Sequence, residues 1–581
     1  MAQPAVGKAN ETPDRYVAPS AEFRADRYYR YAELTDLLHS WAAAYPELAA
    51  VESIGKSYEG RDIWALTLTN RATGPDAEKP AYYVDANIHA GEVTGSAVAL
   101  FTAHHLLTGY GDDPRATRLL DETALYVVPR IGVDGAERYL ASPEQMRSSV
   151  RPWPEPEPQD GVQREDLDGD GWVTQMRVRD PHGPWKVSTR DPRLMVRRGP
   201  DETGGEYYFV FPEGTIKDYD GGEVKVAPPL WGLDNNRNFP ARWGPEWEQR
   251  GAGAYPLSEP ETRAVADFML AHPNIHGTQH YHTFSGVILR ASALRADEDL
   301  AKADLKTYKA LAELGTEETG YRVVSIFHDF AYDKKKPMMG NHLDWVFDSL
   351  GCFGFATELW SLPAKAGIEV VDFLKFFDER SEDDDLAMLK VLDQQLGGSG
   401  YKPWVPFEHP QLGPVEIGGW EFKFTFQNPP GPFLEEECRR NAGFTLRAMG
   451  TAPRLELVEA STEPLGGDLH KVAAVVGNAG FLPTYVSESG KATGRIKPVS
   501  ATLGLGDGMA LVGGEEETEL GHLMGRADQY EAFSVFPAYG NSTRRRVEWI
   551  VRAPDAGTVT VTATSPKGGV VRRELTLGTV G

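Results

Sequence analysis

Apolar residues along the first 450 or so positions of this chain recur at two spacings, and beyond about residue 453 at only one. YAELTDLLHSWAAAYPEL, residues 31–48, places them three and four apart, the spacing of an amphipathic helix, and Pro46 lies near its end. DIWALTLTN (62–70) and PAYYVDANI (80–88) are short apolar runs that predict strands. A helical pattern then covers residues 92–107 and stops at Gly109 and Gly111. TALYVVPRI (123–131) is a further strand, followed by a turn at 133–135. Strand, helix and strand in alternation predict an α/β sheet buried on both faces.

Residues of about 151–230 interrupt that rhythm. RPWPEPEPQDG is rich in proline and acid, and GGEYYFVFPEGTIKDYDGGEVKV reads as short strands joined by glycine turns, so the segment is an insertion. The α/β pattern resumes at SEPETRAVADFMLAHP, where Ser258 and Glu261 have capping-box spacing. IHGTQHYH, SGVILR and CFGFATELW are further strand candidates, the last running over 352–360. From 453 to 581 short alternating segments predict a β-sandwich of immunoglobulin type. The chain thus divides into a polar arm (1–22), a catalytic-size unit (23–452) and the sandwich, as 581 residues exceed one ordinary core of roughly 100–200. The EDDD run at 382–385 reads as a solvated helix face.

Composition narrows the function classes. With 41% hydrophobic and 25% charged residues the chain is globular in type, and no apolar run is long enough to cross a bilayer. A net charge of −25 repels phosphate backbones and anionic lipid, so neither nucleic acid nor membrane is expected as a partner. Two cysteines, Cys352 and Cys438, exclude a disulfide scaffold; buried free thiols are expected, and one bridge between them stays open. The first 23 residues lack the apolar core of a signal peptide, which leaves a cytoplasmic protein or one whose export leader has been replaced.

Ligands of α/β sheets bind beyond the carboxyl ends of the strands. Four places qualify: His89 and Glu92, Asp134 and Gly135, His280 and His282, and Glu358. A histidine on the last strand residue and a glutamate in the first helical turn can converge on one ion. Catalytic zinc commonly takes three protein ligands and leaves the fourth position open. His282 can supply the third ligand, with His280 as competitor.

The motifs HAGE, DNNRNF, HTFSG and ATELW, in that order over residues of about 20–430, resemble the metallocarboxypeptidases, the zinc carboxypeptidases similar to carboxypeptidase A. The resemblance implies a mixed, mainly parallel sheet flanked by helices, and one zinc ion bound by His89, Glu92 and His282. It implies Glu358 as catalytic carboxylate, and Asn236 and Arg237 as the pair holding the terminal carboxylate of a peptide substrate. It also implies an oxyanion-stabilising arginine a dozen residues past Gly135, which is Arg147, with Arg151 as substitute. Leu343 matches a position that selects the terminal side chain and suggests apolar or aromatic ends.

The chain departs from that pattern in three ways. The tyrosine that closes over substrate is replaced by lysine at the matching position, with Tyr332 the nearest candidate; the interval from Glu92 to His282 is enlarged by the insertion; and no inhibitory pro-segment is expected. Competing readings are a zinc amidohydrolase or endopeptidase on cell-wall peptides or acylated amino acids, and a non-catalytic binding module. DLDGDGWVTQMR, residues 166–177, matches the first half of an EF-hand loop through Asp166, Asp168 and Asp170, but the twelfth position is Arg177 where a bidentate glutamate is needed. The alternatives are a calcium clip completed from elsewhere and a plain aspartate-glycine turn.

Overall fold

The sheet that carries the site has eight strands: β1 (Ala49–Lys56), β2 (Asp62–Leu68), β3 (Ala81–Ala86), β4 (Ala124–Val128), β5 (Ile275–Thr283), β6 (Val287–Arg290), β7 (Arg322–Ser325) and β8 (Phe353–Leu359). These come from a computed structural model that describes residues 23–331, 336–527, 542–555 and 557–578; the arm at 1–22 and Tyr332 lie outside the described residues. The spatial order is β1-β2-β4-β3-β5-β8-β6-β7. The central pairs β4/β3, β3/β5 and β5/β8 are parallel, as is β6/β7, while β1/β2, β2/β4 and β8/β6 are antiparallel. The sheet is therefore mixed and mainly parallel.

Period-two alternation sends successive residues of β3 into two cores. Tyr82, Val84 and Ala86 pack with helices α1 (Tyr31–Ala44) and α2 (Thr94–Gly109), whereas Ala81 and Tyr83 pack with Ala264, Val265 and Phe268 of α3 (Pro260–Ala271). Helices α4 (Lys302–Thr319) and α5 (Gly431–Met449) complete the first core through Tyr308, Leu311, Cys438 and Phe444. Each large side chain so buried contributes roughly 1.5–3 kcal/mol. A one-residue slip of β3 would exchange its faces and drive Asp85 into the apolar layer under α2, so burial pins the register.

Several local readings change in three dimensions. Strand β1 has no counterpart among the predicted elements: its sequence AAVESIGK is half polar because it is an edge strand with one partner and is only partly buried. Residues 133–135 open a helix, Val133–Ala141, and do not form a free turn. Helix α2 starts at Thr94, two residues after Glu92, because Asn428 reaches across from 334 positions away to accept the Thr94 N–H and donate to the Gly91 carbonyl. The Ser258–Glu261 capping box does not form: the Ser258 hydroxyl donates to Glu259, and Glu261 accepts the backbone N–H of Tyr58.

The insertion supplies strands Gln175–Arg179, Trp185–Val187, Met195–Arg197 and Tyr208–Pro212, which pair with the hairpin Tyr401–His409 and Gly413–Trp420 in one six-stranded sheet. Glu382–Asp385 form the first turn of the helix Glu382–Leu396, where Ser381 and Asp384 make a capping box and the acids face the positive end of the helix. Towards the C-terminus two four-stranded antiparallel sheets enclose a core containing Leu455, Val472, Val499, Trp549 and Val561. This sandwich meets the larger unit through Asp304, which accepts the Glu488 and Ser489 N–H groups, and through Lys567, which donates to the Ile275 carbonyl. Both cysteines are buried and unbridged. No helix among the described residues is long and apolar enough to cross a membrane.

Candidate metal centre

The carboxyl ends of β3, β5 and β8 bring the chemistry together, and the parallel register decides the pairing. His282 lies directly across from Glu358 and, two residues earlier, His280 lies between Asp85 on β3 and Ala356 on β8. Tyr281, between the two histidines, points to the opposite layer, where its hydroxyl shares a hydrogen bond with Thr445. Beyond β3, Asn87 adopts a left-handed backbone (φ 56°) that turns the chain out of the sheet. His89 therefore sits in the loop three residues past the strand, not on its last residue, and Glu92 precedes the helix instead of occupying its first turn.

Three ligand atoms converge. His89 Nδ1 lies 2.8 Å from Glu92 Oε1, His282 Nδ1 lies 2.9 Å from Glu92 Oε2, and the two Nδ1 atoms are 3.2 Å apart. All three residues are buried. The other nitrogen of His89, Nε2, is 3.1 Å from Asp234 Oδ1, so an Nε2–H donor turns the Nδ1 lone pair towards Glu92 and His282. Two imidazole lone pairs and a carboxylate packed this closely repel one another unless a cation lies between them. The donor set fits zinc.

Asp234 opens the DNNRNF motif, in which the family resemblance assigns roles only to Asn236 and Arg237. Its Oδ2 nevertheless accepts from Arg147 Nη2 at 2.7 Å and Nε at 3.1 Å. Burial opposes ionisation of Asp234, but Arg147, Arg237 and His89 hold its carboxyl well below the usual range. The Glu92 carboxyl is likewise held down to about 2 by the two histidines, against the effect of burial. Burial and Arg147 push His89 down, while Glu92 and Asp234 outweigh them and leave it raised. Glu358 behaves oppositely: burial first and the charge of Glu92 second push its carboxyl well up, with Arg147 pulling the other way.

A cavity of about 450 Å³ opens over these groups, and Arg147, Asn236, Arg237, Leu343 and Glu358 all line it. The loop bearing Arg147 is tied to the histidine loop by the Ala90 N–H, which donates to the Arg147 carbonyl at 2.7 Å. Arg151 is turned away and pairs with buried Glu259 at 2.6 Å, which removes it as a substitute. Asn236 Oδ1 accepts the His342 backbone N–H at 2.8 Å, and Arg237 Nη1 donates to the Asn236 carbonyl at 2.7 Å. Asp134 is structural: it accepts from Ser57, Glu59 and Arg61. Gly135 is required by close approach, because a Cβ there would lie 2.2 Å from the Ser148 carbonyl oxygen and 2.6 Å from the Ala90 Cβ.

The aspartate loop is not part of this cavity; Asp166, Asp168 and Glu213 each bring a carboxylate oxygen within 4.8 Å of the other two, a grouping that does not by itself establish calcium. Asp166 accepts backbone N–H groups of Gly169, Asp170 and Gly171, and Asp170 pairs with Lys402 at 2.7 Å. Arg177, at the position where an EF-hand needs glutamate, binds Glu416 in the adjoining strand. Backbone donors engage Asp166 and a lysine ammonium engages Asp170, contacts that suit the plain aspartate-glycine turn.

Residues 34–369 match the zinc carboxypeptidase family, more than half of the chain, so the chain belongs to that family. Residues 454–576 match a domain of unknown function, DUF8731. Carboxypeptidase D of Rattus norvegicus is 30% identical over 122 residues, which is 21% of this chain and 9% of that protein. Carboxypeptidase A6 of Mus musculus is 23% identical over 349 residues, 58% of this chain and 61% of that protein. The chain thus spans less than two thirds of the length of either relative. The crystal structure of thrombin activatable fibrinolysis inhibitor superposes with a TM-score of 0.44 at 16% identity, covering 76% of this chain and 78% of that one.

Proposed function

We propose that the protein is a zinc-dependent metallocarboxypeptidase that hydrolyses the last peptide bond of peptides ending in a free carboxylate. The observation that carries the reading is the placement of Glu358 directly across from His282, in a cavity that also holds Arg147 and Arg237. His89, Glu92 and His282 would hold the ion, and Asp234 orients His89. Zinc, when bound, would supply Lewis acidity that lowers the pKa of water to about 7.

The remaining work falls to side chains. Glu358 accepts the proton of the attacking water and returns it to the leaving amine, a role worth about 10² to 10⁴ in rate. Its upward-shifted carboxyl suits the second half of that task, and the positive charge of Arg147 favours the carboxylate needed for the first. Arg147 stabilises the oxyanion of the tetrahedral state. Arg237 offers a planar fork to the terminal carboxylate, with Asn236 beside it. Leu343, with Leu289 and Ala356, gives the cavity apolar walls that suit apolar or aromatic terminal side chains. Tyr332 keeps its assignment as a residue that closes over substrate on the family resemblance alone.

The test compares peptides that differ only in a free or amidated C-terminus, with product masses recorded for wild type, Glu358→Gln and Arg237→Ala. Wild type releases the last residue from the free-ended peptide only; Glu358→Gln loses about a hundredfold or more, and Arg237→Ala loses chiefly through KM. Equal cleavage of both peptides, or internal cleavage, would assign the site to an amidohydrolase or endopeptidase instead. Turnover independent of Glu358 would dismiss the mechanism.

A further inference from the structure

Beneath the same cavity lies a second convergence of metal-type donors that the zinc carboxypeptidase reading does not use. Asp85 and His280 face each other across β3 and β5, with Asp85 Oδ1 3.0 Å from His280 Nδ1. His342, which opens the short helix His342–Trp345, brings its Nδ1 to 3.4 Å from Asp85 Oδ2. One ligand atom from each residue lies within 4.8 Å of the other two.

Two features separate this cluster from an ordinary buried histidine pair. Asp85, His280 and His342 are only 1%, 2% and 2% exposed, yet neither ring nitrogen of His342, nor Asp85 Oδ2, has a hydrogen-bond partner among the described residues. Buried polar atoms are rarely left so, because each unmet group keeps the cost of losing its water. His342 is also fixed in place: its ring stacks on Phe239 with centroids 4.2 Å apart, and its backbone N–H is held by Asn236. The imidazole is thus both immobilised and unsatisfied, with Nδ1 aimed at the carboxylate.

We propose that Asp85, His280 and His342 form a second site for a divalent transition cation of the zinc type. Two imidazoles and one carboxylate suit zinc and its neighbours rather than calcium or magnesium, which favour all-oxygen shells. Thr278 Oγ1 lies 2.9 Å from His280 Nε2; with Nε2–H donating to that hydroxyl, the Nδ1 lone pair is presented to the ion. His280 and His342 both line the cavity, which gives the ion its entry route and an open coordination position. His280 and His282 are two residues apart on one strand face, so the two sites are neighbours yet share no ligand.

The experiment is metal counting, not activity. Chelator-stripped full-length protein is titrated with zinc against a chromophoric chelator, and with cobalt followed by visible absorbance. Wild type takes two equivalents per chain. His342→Phe, which preserves the stacking on Phe239, takes one; His89→Ala, which disrupts the upper site, also takes one; the double variant takes none. Circular dichroism and melting curves establish that each variant is folded, and Asp85→Asn serves as a second lower-site variant. A single equivalent in wild type, or two equivalents retained in folded His342→Phe, overturns the proposal.

Discussion

Asp234 offers the sharpest test of how the upper centre is held. Its Oδ1 lies 3.1 Å from His89 Nε2 and accepts the Asn236 N–H at 2.9 Å, while Oδ2 takes the Arg147 fork. In Asp234→Asn the amide oxygen can still accept from His89, but the negative charge is lost, and an amide N–H₂ turned towards Arg147 meets a guanidinium that has only donors. Removing such an outer partner of a metal-binding histidine typically costs about 10- to 100-fold in metal affinity, or about 1.4–2.7 kcal/mol. Zinc competition with a chromophoric chelator reads that loss directly. Arg147→Ala is the control: it leaves the Asp234–His89 contact in place, so zinc affinity changes by less than threefold while turnover falls. Zinc affinity of folded Asp234→Asn within threefold of wild type would show that Asp234 does not orient His89, and the argument from its hydrogen bonds would fail.

Two further outcomes follow from burial and close approach. The Glu261 carboxyl is pushed up to about 7, first by burial and then by Asp134 and Glu259, and its Oε2 has no hydrogen-bond partner among the described residues. The folded state therefore binds the extra proton between about 4.5 and 7, and the stability this group confers is complete below that window and lost as pH rises through it. Relative to Glu261→Gln, wild type should become less stable by up to about 3 kcal/mol between about pH 5 and pH 8 in denaturant melts, and a constant difference would contradict the shift. Gly135→Ala inserts a Cβ 2.2 Å from the Ser148 carbonyl, so it should lower stability by about 1–3 kcal/mol or more and weaken zinc binding by displacing the Ala90–Arg147 tie; an unchanged melting temperature would refute the close packing.

Some of this site is legible because its signal is local. His89 and Glu92 are three residues apart, and the runs that form β3, β4 and β8 are largely apolar, as central parallel strands buried on both faces tend to be, whereas β5 is buried along its length although it is mostly polar. Strand β1 escapes notice for the converse reason, since a partly buried edge strand needs few apolar residues. Asp234 stands in the DNNRNF motif, yet its role beside His89 is not legible, because an aspartate before a turn ordinarily caps it, as Asp234 also does here for Asn236. The start of α2 is misplaced from sequence because its cap, Asn428, is 334 residues away.

The amino-acid sequence alone determined the alternating α/β pattern and the family motifs, and through their resemblance pointed to His89, Glu92 and His282 as candidate donors, because each signal depends on residue type and on spacing within a few positions. Only the tertiary structure decided that Glu358 faces His282, that Arg147 rather than Arg151 enters the cavity, and that Asp85, His280 and His342 meet below it. Those pairings depend on the register between strands and on which loop packs over them, and register is set by the burial of whole faces rather than by any single stretch of chain.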